Sequence, residues 1–168
     1  MSGSDNGTQP NLRARLDERA LFNPAFVAAV IGAAADGHQA DHKGPLPLTL
    51  AFVIPPMALT RRIREVLPRN VRPYLATWLD SNPLVRADLQ RLAPMHADST
   101  RQALRFGVRY GLLSLTGVNL QRGPVLDPAQ GALDNDAARV TDAGVFLGRW
   151  LPRAGSLTTT MTLLGLRP

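Results

Sequence analysis

The chain has 168 residues, of which 45% are hydrophobic and 19% charged, enough apolar material for a core and too much for wholesale disorder. It contains no cysteine, which excludes a disulfide framework, a thiolate metal site and a cysteine nucleophile. The formal charge of +6 rests on arginine, since Lys43 is the single lysine among 19 cations, and it points to acidic partners such as nucleic acid or an acidic protein face.

Residues 1–20 read as a flexible, polar N-terminal tail without the apolar core of a secretory signal. The remainder, 21–168, reads as a single mainly helical domain. Asn23-Pro24 opens a helix with Asn as cap and Pro at the first helical position; Phe26, Val27, Val30, Ile31 and Ala34 follow at helical spacing, and Gly37 is the expected stop. Residues 36–44 then form a polar loop. The apolar run 46–59 reads as a buried helical segment bent or ended at Pro55-Pro56. It falls short of the roughly 18 residues a membrane span requires, so a soluble cytoplasmic protein is expected. A short helix covers 60–67.

In the middle of the chain, Asn70 can cap a helix to about Ser81, and Asn82-Pro83 opens a short helix to about Leu92. Pro94 starts a third helix to about Tyr110, and residues 112–121 (LLSLTGVNLQ) suit a β-hairpin. This order is that of a winged helix-turn-helix over about 70–122. After a connecting loop at 123–131, C-terminal helices occupy about 134–166. The first is capped by Asp134 or Asn135, with Val140, Ala143, Gly144, Leu147 and Leu151 on its apolar face. Residues 152–155 break it, and Ser156 caps a last short helix. The expected fold class is mainly α with a small β-hairpin: a winged helix-turn-helix-like core plus N- and C-terminal helices.

Arg101, Arg105 and Arg109 recur every four residues on the helix expected to precede the hairpin, within an arc of about 80°. Such a stripe suits DNA phosphates or an acidic partner; a merely solvated face is the plain alternative. Arg61 and Arg62 belong to a second basic cluster that could extend the surface, although a solvated face accounts for it well. His38 and His42 form H-x-x-x-H in the polar loop, without the internal Glu of a zincin and without a third His nearby, so no metal is expected. No phosphate-binding Gly-rich loop, nucleophile elbow or paired-carboxylate site can be assembled, and with two glutamates in the chain neither catalysis nor a cofactor is expected. Phe146, Leu147, Trp150 and Leu164, in the C-terminal helices, are candidates for partner docking or packing.

Five segments occur in a telling order: FNPAFVAAVI (22–31), GPLPLTLAFVIPPMAL (44–59), VRPYLATWLDSNPLVRADLQRLAP (71–94), TRQALRFGVRYGLLSL (100–115) and FLGRWLPRAGSLTTTMTLLGLRP (146–168). Together they resemble the middle component of bacterial three-component ABC systems, the small partner also seen in Lamassu-type anti-phage systems. The resemblance covers nearly the whole chain beyond the first 20 residues. It implies a non-catalytic accessory subunit in a hetero-oligomer with an ABC-type ATPase, related to chromosome-maintenance ATPases, and a nuclease-like effector. Double-stranded DNA is a further candidate partner, and no membrane is implied. The family lends no functional residue set. A free-standing winged-helix DNA-binding regulator is the alternative, though Gln102 is the one amide on its recognition helix beside the arginines.

Overall fold

A computed structural model describes residues 23–125 and 135–167. The expected N-terminal tail, most of the connecting loop and the cap at Asp134 lie outside the described residues. The mainly α architecture with a small β-hairpin is as expected.

Helix α1 (Pro24–His42) begins as the sequence dictates, with the Asn23 side chain accepting the Ala25 N–H at 2.9 Å and Pro24 in the first turn. It does not stop at Gly37. It runs on to Lys43, whose left-handed backbone (φ 57°) closes the helix through its N–H to Gln39 O, so the expected polar loop at 36–44 is mostly helix. An interior glycine costs a helix about 1 kcal/mol, and packing offsets that cost here. A Cβ at position 37 would lie 2.2 Å from the backbone oxygen of Val145 on the C-terminal helix.

The apolar run that follows is not one helix. It divides into strand β1 (Leu46–Pro47), a 3₁₀ turn (Leu48–Phe52) and helix α2 (Ile54–Leu59). Pro55 and Pro56 start α2 rather than end it, because in the first turn the missing N–H has no helical partner to lose. Helix α3 (Arg61–Glu65) comes next. Asn70 does not cap a helix; its side chain accepts the Arg72 N–H at 3.0 Å in a local turn, and α4 (Leu75–Ser81) starts beyond Pro73.

Pro94 does not begin a helix either. Helix α5 (Pro83–Arg109) is continuous over 27 residues with Pro94 inside it, so two expected helices are one. Its buried positions Val85, Leu89, His96, Thr100, Ala103 and Gly107 keep a single helical register across the proline. Burial of that stripe holds the helix together where the missing hydrogen bond would otherwise break it.

Strands β2 (Leu113–Thr116) and β3 (Asn119–Arg122) form the hairpin, with Gly117 at φ 60° in the turn. β1 pairs antiparallel with β3, Leu46 opposite Leu120, giving the order β1-β3-β2. A proline suits this edge strand, whose outer side needs no donor. Helix α6 (Asn135–Trp150) leads through a 3₁₀ turn (Leu151–Ala154) to α7 (Leu157–Leu163), capped by Ser156 as the sequence indicates.

The core is centred on α1, which lies against α5, α6 and β3. Ile31, Leu50, Ile54, Met57, Ile63, Leu89, Leu120 and Leu147 are fully buried there. Trp150 joins them, with its indole N–H donated to Pro73 O at 2.8 Å, its ring edge-on to Trp78 and stacked on Phe146. Helices α1 and α6 meet backbone to backbone. A Cβ on Gly148 would sit 2.0 Å from Ala34 O, and one on Gly144 2.9 Å from Val30 O. Gly148→Ala is therefore expected to lower unfolding stability by about 1–3 kcal/mol, the usual range for overpacking, measured as a shifted urea midpoint.

Candidate functional site

Arg101, Arg105 and Arg109 occupy one exposed face of α5, as their spacing requires. They are not equivalent. Arg101 is tied to Asp98 one turn back at 2.6 Å, and its guanidinium lies 5.9 Å from the centre of the Phe52 ring. Arg109 lies at the same distance from the ring of Tyr110. Arg105 and Arg109 have no carboxylate within salt-bridge distance among the described residues, so they carry the uncompensated charge of the stripe.

Arg61 and Arg62 do not join that stripe. Arg61 pairs with Glu65 at 2.7 Å, a hydrogen bond that holds the Glu65 carboxyl below the usual carboxylate range. Arg62 reaches across to Asp88 on α5 at 2.6 Å. Asp88 precedes Arg101 by 13 positions, about 20 Å along the helix. Arg61 instead lines a cleft of about 400 Å³ with Arg64, Arg69, Arg139, Asp136 and Phe146. Arg64 is structural: its nearly buried guanidinium donates to Ala58 O and Leu59 O at the end of α2 and pairs with Asp136 at the start of α6.

The C-terminal candidates divide in the same way. Leu147, Trp150 and Leu164 are fully buried in the core, while Phe146 is half-buried and forms part of the cleft wall. Reading the sequence alone misses a second feature, an apolar groove of about 420 Å³ between the 3₁₀ turn, the Pro94 turn of α5 and the hairpin tip. Phe52 and Leu48 line it, and both fall within a run that reads as uniformly buried. No sequence signal marks it, because its walls come from four separate segments.

Residues 13–168 match the family model described as ABC-three component (ABC-3C) system Middle Component 3. The chain belongs to that family. No curated protein and no solved structure matches it. Membership makes this a middle component of a three-component ABC system, and so an accessory member of a multi-protein set. Among the described residues, no helix of the middle component is long and apolar enough to cross a membrane, and no group of three or more His, Asp or Glu could hold a metal ion.

His38 and His42 lie on α1 rather than in a loop, their rings 4.8 Å apart. Each ring donates to a backbone carbonyl, His38 Nδ1 to Gly44 and His42 Nε2 to Arg149, both at 2.9 Å. The pair therefore pins the end of α1 to the link that leads into β1 and to α6. Burial lowers the His38 pKa, the Gly44 bond opposes this, and the neighbouring His42 lowers it further; burial also lowers that of His96. A depressed folded-state value means that the native protein resists taking up a proton. The associated stability is full above the unfolded histidine value of about 6.5 and is lost as the pH falls through the folded values. Melting temperature should accordingly drop between about pH 7 and pH 5, and His38→Gln, which does not titrate, should flatten part of that drop.

Proposed function

We propose that the middle component is a non-catalytic adaptor in a Lamassu-type anti-phage defence complex, linking a chromosome-maintenance-like ABC ATPase that senses foreign DNA to a nuclease-like effector. Family membership over residues 13–168 is the observation that carries this reading. Two features of the molecule support it. Catalytic groups are scarce, and Asp36, Asp41, Asp88 and Asp136 are each engaged in an ion pair that ties two elements together. Among the described residues, the α5 face bearing Arg105 and Arg109 offers charge with no carboxylate in salt-bridge distance of either arginine, which suits a partner contact. A free-standing regulator is less well supported, because residues 83–109 form one helix where that reading expects a turn and a separate recognition helix.

Replacing Arg101, Arg105 and Arg109 together by Ala separates the uses of this face. Contact with an acidic surface predicts loss of co-purification with the ATPase and effector, with any residual DNA binding unchanged in its salt dependence. Contact with DNA phosphates predicts uniformly weaker binding to all duplexes and a log–log salt slope lower by about 2–3, near 0.9 per lost contact. Assembly and DNA binding both at wild-type strength would remove the face from the account. The purified chain by itself is expected to hydrolyse neither nucleotides nor DNA. Hydrolysis that co-purifies with it and is abolished by one substitution in this chain would show otherwise.

A further inference from the structure

The apolar groove and the arginine stripe are continuous. Leu48, Phe52, Pro94, Val118, Met161 and Leu166 line the groove, and Arg167 lies at its edge. Its walls are well fixed: the Leu48 N–H is donated to Val118 O at 2.9 Å, which ties the hairpin tip to the 3₁₀ turn. Val118, which lines the groove at the hairpin tip, is 73% exposed and so open to an incoming apolar side chain. The guanidinium of Arg101 lies over Phe52, and Arg105 follows one turn further along α5, about 6 Å on. Among the described residues, the groove lining contains no carboxylate. Asp98 is engaged by Arg101, leaving Arg105 and Arg167 with no carboxylate within salt-bridge distance among the described residues.

We propose that this groove docks an acidic amphipathic segment of another protein component, its apolar side against Phe52 and Val118 and its Asp or Glu side chains toward Arg101, Arg105 and Arg167. The proposal rests on the accessory-subunit reading and gives that subunit a specific contact. Three observations select this occupant. From Pro94 to Arg105 is about 16 Å, three helical turns, which is the reach of a short amphipathic helix laid in a groove. Nucleic acid would find cations but would gain nothing from the aliphatic lining of Leu48, Met161 and Leu166. A second copy of this chain carries 19 cations against 13 carboxylates, a formal charge of +6, and so brings net like charge to the rim.

The full chain, co-expressed with the ATPase and effector of its own system, provides the test. Val118→Glu and Arg105→Glu, both at exposed positions, are each expected to weaken the purified assembly at least tenfold while leaving the melting temperature of the chain unchanged. Val118→Ile should assemble normally. A benzophenone side chain at position 118 should cross-link, within that assembly, to a partner segment in which Asp or Glu alternates with large apolar residues at helical spacing. Wild-type affinity in both charge variants, or cross-links to DNA, to a second copy or to a segment without acidic residues, would overturn the groove proposal and leave the accessory-subunit reading standing. Failure of the wild-type chain to assemble with either component would overturn both.

Discussion

The contact between α1 and α6 is the constraint on which the remaining structure depends. With hydrogen in place of Cβ at Gly37, Gly144 and Gly148, the two helices approach until side-chain positions on one face backbone oxygens on the other. At that separation α1 is enclosed, with Val27, Ala28, Val30, Ile31, Ala33 and Ala34 all buried. The helix can be this apolar because little of it meets water. Polar groups fasten the C-terminal end of this contact and tie α1 to the sheet. Asp41 accepts from Arg149 at 3.1 Å, His42 donates to the Arg149 carbonyl, and Asp36 holds Arg122 of β3. The sheet, α5 and the hairpin are therefore all positioned from α1 outward.

The arginine-rich composition divides by this architecture into two populations. Arg64, Arg122 and Arg149 bind elements to one another, and Arg86 donates to Leu163 O at 3.0 Å between α5 and α7. A planar guanidinium with five donors suits such bridging, since it can satisfy carbonyls and a carboxylate at once, as Arg64 does. Arg105 and Arg109 belong to the other population, held outward on a helix already anchored elsewhere. Net positive charge in the sequence thus overstates the positive surface available to a partner.

How far the sequence was legible depended on whether a signal was local. Asn23-Pro24 and Ser156 cap their helices as read, and Gly117-Val118 turns the hairpin, because each involves side chains and backbone only a few residues apart. The failures share a physical cause. Gly37, Pro55 and Pro94 are local breakers whose cost is set by position or offset by tertiary packing: Gly37 by its approach to Val145, Pro55 by lying in a first turn, Pro94 by the buried stripe running past it. The arginine stripe was visible as a period along one helix. The pairing of Arg62 with Asp88, the burial of Trp150 and Leu164, and the groove under Arg101 join residues distant in sequence, and no spacing rule reports them.

Pro94 carries a mechanical consequence. Helix α5 spans about 40 Å over its 27 residues. Its N-terminal part is clamped to the C-terminal segment by Arg86 and Gln90, the latter donating to Gly165 O at 3.2 Å, while its far part supports the hairpin and carries the arginine stripe. The proline removes a rung of the helical ladder between these two halves, beside the apolar groove. A ladder bond is thus missing where a bound segment would press on the rod, and a bend of about 5° at this joint would carry Arg109, about 22 Å further along, through about 2 Å.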